Sequence, residues 1–232
     1  MIRLAVHPDP EATAEATADM VAEWIAAAQS ARGIAHVALA GGTTPRRAYE
    51  LLAGRISDSE HVDWWFGDER CVPPDDPESN YRLVSESLIA GGIPAARVHR
   101  IRGEDLPGRA AADYATELAR DVPANAEGVP VLDVALLGLG EDGHTASLFP
   151  GDPALEVTDA LAVPVVAVKP PPNRITLTLP VLRAARDVII LATGAGKSEA
   201  VALVLAGPDP ATPASLLADA NVTLAVDEAA AP

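Results

Sequence analysis

Six short apolar runs, most of them followed by a longer segment with helical periodicity, constrain the fold of this chain most strongly. Alternation of strands and helices indicates crossover units and a mostly parallel sheet, and near-continuous apolar strands suit a sheet covered on both faces. The runs and their helical partners are IRLAV with residues 10–31, HVALA with 45–54, VDWWF with 79–90, LDVALLGLG, VIILAT with 197–206, and VTLAV. We therefore predict an α/β fold with a mostly parallel open sheet, helices on both faces and a Rossmann-like three-layer order.

Residues 150–180 break this alternation because seven prolines interrupt them. Proline is confined to sheet edges, strand starts and loops, so this region predicts a small, irregular, β-containing layer beside the main sheet. No clear linker divides the chain, and 232 residues suit one large α/β domain. We predict a single domain over residues 1–232.

The charge balance excludes two classes of partner. The chain has 33 acidic and 17 basic residues, a net charge of −16, which argues against nucleic-acid and anionic-membrane surfaces. His7 and Pro8 interrupt the first apolar run, and the single cysteine, Cys71, has no intrachain partner. We therefore expect no signal peptide, no membrane span and a cytoplasmic location. Nothing identifies an interface, which leaves the oligomeric state open and is compatible with a monomer.

Three of the apolar runs end in glycine-containing loops: LAGGTTPRRAYELL at 39–52, LLGLGEDGH at 136–144 and LATGAGKSEAV at 191–201. In open α/β sheets the carboxyl ends of the strands form the ligand crevice. The three loops are therefore expected to share one site.

Two of these loops resemble nucleotide motifs without satisfying them. Gly138, Gly140 and Gly143 match G-x-G-x-x-G, but Glu141 and Asp142 would add like charge where a pyrophosphate should bind. The segment ending at GKS would need glycine in place of leucine at position 191 to form a phosphate loop. A flexible glycine turn that opens a helix beside Lys197 still favours an anion.

The first glycine loop and the segment after VDWWF each have two interpretations. Thr44 is a good N-cap candidate ahead of Pro45, so helix capping alone explains the threonines. Alternatively, Gly41 and Gly42 let the backbone approach a negative group. Arg70 either forms a structural ion pair with the acids beside it or presents its guanidinium to a phosphate or carboxylate.

His144 differs from the other four histidines, which lie in or beside strand-like runs. Imidazole titrates near neutrality, so in a cleft it can take a proton from water and return one to a leaving oxygen. A neighbouring carboxylate can orient it. His144 is therefore the candidate general base.

Four segments together resemble the 6-phosphogluconolactonases of the pentose phosphate pathway: LAGGTTP, FGDERCVPPDDPESNYR, GLGEDGHTASLFP and KPPPNRITLT. They run in family order from residue 39 to about 200. The resemblance implies the α/β fold shared with glucosamine-6-phosphate deaminase and ribose-5-phosphate isomerase. It also implies hydrolysis of 6-phospho-D-glucono-1,5-lactone with no metal and no organic cofactor.

The resemblance also implies roles for individual residues. His144 becomes the base for water attacking the lactone carbonyl, with Asp142 close by and Glu141 a less certain support. Arg174 is either a phosphate ligand or a plain strand-edge residue. The full predicted substrate-binding set is Gly41, Gly42, Thr43, Thr44, Asp68, Arg70, Gly140, Gly143, Arg174 and Lys197.

Three alternative functions or mechanisms compete with this one. The deaminases of the same superfamily have a loop resembling DGHIAFNEP, with a further carboxylate after the histidine, whereas this chain has DGHTASLFP. A non-catalytic module that binds a sugar phosphate is the second alternative. The third is nucleophilic catalysis by Ser147, which lacks the G-x-S-x-G elbow.

Overall fold

The computed structural model describes residues 2–232 and has two sheets with six α-helices. The larger sheet has six strands, all parallel, in the order β1-β9-β8-β5-β2-β3. The predicted α/β class with a mostly parallel sheet is confirmed. Its strands are β1 Arg3–His7, β2 Ala35–Leu39, β3 Val62–Phe66, β5 Val134–Gly138, β8 Asp187–Ala192 and β9 Val222–Asp227.

The irregular layer predicted around residues 150–180 is a regular antiparallel sheet. Strands β6 (Ala162–Val166) and β7 (Asn173–Leu177) form a hairpin, and β4 (Asp68–Arg70) pairs with the other side of β7. Pro164 lies in β6 at the edge, where a missing N–H interrupts no ladder. This sheet brings β4, which follows β3 directly, against β7 from the far end of the chain.

The helices are α1 Pro10–Arg32, α2 Arg46–Ala53, α3 Asn80–Val84, α4 Pro107–Asp121, α5 Leu179–Ala184 and α6 Ser198–Ala206. α1 shows why its segment folds locally: the Asp9 carboxylate accepts the N–H of Ala12, and Gly33 ends the helix in the left-handed conformation, the ordinary cap at each end. Along residues 2–232, no helix combines the length and apolar character needed to cross a membrane.

The sequence missed one helix, and one expectation about helix capping was wrong. α4 was not predicted. The helical segment predicted over 79–90 is confirmed, as α3 continued by a π-helical turn over Ser85–Ile89. α2 begins at Arg46, with Pro45 as its cap and no side-chain capping bond, so Thr44 is not the N-cap. The two threonines before α2 therefore need another explanation.

One apolar cluster fills the space between the two sheets and the helices. It includes Trp64 and Trp65 of β3, Leu177 of β7 and Ala230 near the carboxyl terminus, none of them measurably exposed. The segment DEAAAP is therefore docked through Ala230, whose N–H donates to the Asp227 carboxylate.

Asp133 ties together the ends of the strands opposite the glycine loops. Its carboxylate, 4% exposed, lies 2.7 Å from Arg32 and 3.3 Å from Arg186, and it accepts the backbone N–H of His36 at 2.9 Å. Asp133→Ala is expected to lower the free energy of unfolding by about 1–2 kcal/mol, because it orphans a buried N–H while both cations reach solvent. Urea denaturation measures this, and unchanged stability would contradict it.

Candidate active site

The carboxyl ends of β2, β5 and β8, with β4 and β7 of the small sheet, surround one cleft. Most of the predicted site residues line it. Those lining residues are Gly41, Gly42, Thr43, Thr44, Asp68, Arg70, Gly140, His144, Arg174 and Lys197. Asp142 and Gly143 do not line the cleft but lie in the same loop as His144. The three glycine loops therefore converge, as the strand-end argument predicts.

His144 and Asp142 form a hydrogen-bonded pair at the end of β5. The Nδ1 atom of His144 lies 2.5 Å from a carboxylate oxygen of Asp142, and the imidazole is 24% exposed. Burial raises the pKa of the Asp142 carboxyl, but the charge and hydrogen bonds of His144 outweigh that effect and lower its pKa below the usual value. Nε2 has no protein partner within residues 2–232, which leaves it available to a water or substrate.

Two glycines explain why this loop is glycine-rich. A Cβ at Gly140 would overlap both the His144 ring and the Asp142 carboxylate. Gly143 has a φ of +81°, and a Cβ there would press on Thr212. The glycines thus make room for the histidine–carboxylate pair and for a turn that side chains disfavour. Gly143 packs outside the cleft lining.

The turn after His144 is strained. Ala146 has a φ of +49°, uncommon for a residue with a Cβ, and it lines the cleft. Thr145 secures the loop by donating its hydroxyl to the Gly138 carbonyl at 2.9 Å. Such strain costs of order 1–3 kcal/mol and is typical of functional sites.

Two arginines face the same cleft from neighbouring strands. Arg70 of β4 is directly opposite Arg174 of β7, a pairing of like charges that is unfavourable without a counter-ion. Burial and then the charge of Arg70 lower the pKa of Arg174. Arg70 donates to the Glu78 carbonyl at 2.6 Å, while its buried Nε has no partner in the described chain. The Glu78 carboxylate lies 3.5 Å from Arg70, whereas Arg174 has no carboxylate at ion-pair distance within residues 2–232.

Lys197 and two threonine hydroxyls border the cleft on its other side. Thr43 and Thr44 lie at the end of β2, and Lys197 precedes α6. Throughout residues 2–232, neither hydroxyl has a hydrogen-bond partner and the Lys197 ammonium has no ion pair. Three unengaged polar groups at one cleft wall suit an anionic ligand.

Asp68 connects β4 to the histidine loop. One of its carboxylate oxygens accepts the Ser147 hydroxyl at 2.5 Å, and the other accepts the Asn80 side-chain amide at 3.1 Å. Ser147 is fully buried, so its hydroxyl has a structural partner and no access to the cleft. Asp68 lines the cleft and also locks the turn beyond His144.

Glu69 anchors the start of α3 beneath Arg70. Its carboxylate accepts the backbone N–H groups of Arg70, Asn80 and Tyr81 and the Ser79 hydroxyl. Burial raises its pKa to about 7, although the three backbone hydrogen bonds act in the opposite direction. The sequence predicts for Glu69 only an ion pair with Arg70. Its bonds to the backbone fix the strand that holds Arg70.

Asp227 supports the Lys197 loop. Its buried carboxylate, at the end of β9, accepts the Gly194 N–H at 2.9 and 3.1 Å and the Ala230 N–H at 2.9 Å. The Ser198 hydroxyl donates to the Ala231 carbonyl at 3.1 Å. The docked carboxyl terminus therefore helps to place the lysine.

One group of possible metal ligands lies outside the cleft. His99, Glu117 and Asp121 bring ligand atoms within 4.8 Å of one another, but each already has a partner. His99 is 2.8 Å from Glu117, and Asp121 is 2.6 Å from Arg120. The arrangement is an ion-pair network beside Trp65, on which His99 stacks.

Asp142→Asn is expected to lower kcat by about 10- to 100-fold and to leave KM nearly unchanged. An amide cannot stabilise the protonated imidazole or hold its Nδ1–H as a carboxylate does. The expected loss is smaller than the roughly 10⁴-fold of a buried triad aspartate, because Asp142 is 51% exposed. Steady-state kinetics with the lactone substrate measures both constants. A parent-like kcat would show that Asp142 does not support the base.

The fold and the cleft define an open α/β protein in which cationic side chains and a histidine–carboxylate pair converge on one cleft. A family model described as glucosamine-6-phosphate isomerases/6-phosphogluconolactonase matches residues 8–226. The chain belongs to this family.

Curated relatives and solved structures agree with this membership. The chain is 43% identical over 217 residues to a 6-phosphogluconolactonase of Streptomyces coelicolor, covering 88% of this chain and 83% of that protein. It is 37% identical over 238 residues to one of Rattus norvegicus, covering 98% and 92%. The structure of the 6-phosphogluconolactonase from Trypanosoma brucei superposes with a TM-score of 0.86 at 33% identity, covering 99% and 97%.

Proposed function

We propose that this chain hydrolyses 6-phospho-D-glucono-1,5-lactone to 6-phospho-D-gluconate in the oxidative pentose phosphate pathway. The observation that carries the proposal is the convergence of a histidine–carboxylate pair with three cationic side chains on one cleft. The proposed substrate has matching chemistry, since it combines a hydrolysable ester carbonyl with a phosphate. Membership of the family and its 6-phosphogluconolactonase relatives support the assignment.

In the proposed reaction His144 acts as general base. Its Nε2 takes a proton from water while the water oxygen bonds to the lactone carbonyl carbon, and the carbonyl oxygen becomes an oxyanion. When the tetrahedral intermediate collapses, the bond from that carbon to the ring oxygen breaks, and the imidazolium returns a proton to the ring oxygen. General acid–base catalysis of this kind contributes about 10²–10⁴-fold.

Asp142 supports this cycle through Nδ1. Its short hydrogen bond fixes the ring so that Nε2 is the nitrogen exposed to water, and its negative charge favours the imidazolium that forms during attack. Asp142 therefore acts through His144 and does not contact the substrate. Glu141, which forms no hydrogen bond in residues 2–232, has no comparable position.

The phosphate and the oxyanion are assigned to the cleft's donors. We assign the phosphate to the Gly41–Thr44 loop, Lys197 and the two arginines. Of these three cations, only Arg70 has a carboxylate at ion-pair distance within the described chain, that of Glu78 at 3.5 Å. Charged hydrogen bonds each contribute about 1.5–3 kcal/mol. Loop amides facing the carbonyl would stabilise the oxyanion. Asp68 and Gly140, predicted to bind substrate, both line the cleft, and we assign them to the wall against which the substrate lies.

A direct comparison of two substrates tests the proposal. Freshly generated 6-phosphogluconolactone is hydrolysed, with the spontaneous rate subtracted, beside glucosamine 6-phosphate assayed for ammonia release. We expect turnover of the lactone alone, because Phe149 stands where the deaminase-type loop has its glutamate. Ammonia release, or a lactone rate equal to the spontaneous rate, would overturn the proposal.

We further propose that the chain works in the cytoplasm on a small molecule alone. Its charge of −16 disfavours nucleic acid and anionic membranes as partners. Sedimentation velocity tests the accompanying proposal of a monomer. A dimer with full activity only above its dissociation concentration would contradict it.

A further inference from the structure

Phe149 lies between the two kinds of group that the reaction needs, yet the mechanism above does not use it. Its ring centroid is 4.7 Å from that of the His144 imidazole, with the planes tilted by 48°. The guanidinium carbon of Arg174 lies over the same ring, 5.6 Å from its centroid. One aromatic side chain therefore touches a group from the β5 loop and a group from β7.

The charge of Arg174 has few other groups in the protein to stabilise it. The residue is 7% exposed, and within residues 2–232 it forms no ion pair with a carboxylate. Its one protein hydrogen bond joins Nε to the Pro171 carbonyl at 3.2 Å, and Arg70 opposes it across the strands. The negative face of an aromatic ring offers compensation to such a cation.

His144 gains a different benefit from the same ring. The bond to Asp142 fixes one edge of the imidazole, and Phe149 packs against it from another direction, so that less rotation remains. When Nε2 takes a proton, the imidazole becomes a cation beside an aromatic ring, an arrangement favoured in the charged state. The ring thus favours the state in which charge has developed.

We propose that Phe149 is a positioning residue that holds the imidazole of His144 and the guanidinium of Arg174 against one aromatic ring, at a fixed separation. This inference rests on the proposed lactone hydrolysis and deepens it. A single side chain then fixes the positions of the base and of one anion-binding group. Disturbing that ring should change both kcat and KM, which a residue that served only one of the groups would not do.

The test compares Phe149→Leu, which keeps an apolar side chain without a ring, with Phe149→Tyr, which keeps the ring. For 6-phosphogluconolactone, Phe149→Leu should lower kcat and raise KM by about three- to tenfold each, the range expected for cation–π contacts at partly desolvated sites. Phe149→Tyr should keep both constants within about twofold of the parent values. Parent-like constants for Phe149→Leu, or equal losses for both variants, would overturn the proposal.

A double-mutant cycle with Arg174→Gln separates the two contacts. In the Arg174→Gln background, Phe149→Leu should no longer raise KM, because the cation that it supports is gone. It should still lower kcat, because that effect acts through His144. Independent, multiplying effects on KM would overturn the Arg174 contact. Circular dichroism and the Tm establish folding, and Phe149→Met replaces Phe149→Leu with the same expectations if the leucine variant does not fold.

Binding of 6-phospho-D-gluconate, measured by titration calorimetry, distinguishes failure of this inference from failure of the proposed function. A parent without lactone turnover would refute the function. The ligand would still report on Arg174, because Phe149→Leu should weaken binding about three- to tenfold and Phe149→Tyr should not. Equal affinities of the parent and both variants would overturn the positioning role even if the parent is an active lactonase.

Discussion

Replacing His144 by alanine is expected to lower kcat for 6-phosphogluconolactone by about 10²–10⁴-fold, the range typical of a general acid or base. Affinity for 6-phosphogluconate should stay within a few-fold, because the cationic groups and the Gly41–Thr44 loop remain. Initial rates, corrected for spontaneous hydrolysis, and calorimetry measure the two quantities. The split between turnover and binding is the signature of a proton-transfer role.

The chain contains a matched control for this experiment. His61 also pairs with a carboxylate, its Nδ1 lying 2.8 Å from Asp58, and it is 55% exposed. It lies outside the cleft lining, so His61→Ala should retain the parent kcat. Equal rates of His144→Ala and the parent would mean that His144 is not the general base. Loss of ligand binding together with turnover would indicate a collapsed cleft instead.

The sheet was predictable because its signal is local. The run VDWWF coincides with β3, Val62–Phe66, and HVALA is offset by one residue from β2. Strands that are buried on both faces have near-continuous apolar sequences. Helix α4 was missed for a related reason. Its buried face consists of two alanines with Tyr114 and Leu118, which gives weak contrast against the exposed alanines around them.

The cleft was predictable in outline because parallel strands bring their carboxyl ends to one edge of the sheet. Thr43, His144 and Lys197 follow three different strands and line the same cleft. Antiparallel pairing of the small sheet, by contrast, has no local signal in a proline-rich segment. The sequence could therefore place Arg174 on a strand edge but not opposite Arg70.

The supporting contacts were not predictable, because they join distant parts of the chain. The bond from Ser147 to Asp68 spans 79 residues, and the contact of Phe149 with Arg174 depends on how the β7 strand docks. The carboxylate of Asp227 accepts the Gly194 N–H. In the sequence, however, Asp227 is only the last residue of an apolar strand, and nothing local predicts this contact. The residues that line the cleft follow from strand-end position, whereas those that orient them require the tertiary structure.

Replacing Arg70 or Arg174 by alanine is expected to raise KM for the lactone by about 10- to 150-fold, which corresponds to the loss of a charged hydrogen bond of about 1.5–3 kcal/mol. Steady-state kinetics measures it. Because the two guanidinium groups oppose each other across β4 and β7, removing one also relieves repulsion in the empty protein.

The same substitutions should therefore leave the Tm unchanged or raise it, unlike ordinary losses of a buried side chain. Arg109→Ala is the matched control, since Arg109 is 73% exposed beside Asp113 and outside the cleft; it should alter neither KM nor Tm. The proposed substrate phosphate would neutralise the arginine pair, which would account for the like charges that face each other there. Unchanged KM in both cleft variants would mean that the phosphate binds elsewhere, and a lowered Tm would mean that the pair serves the fold.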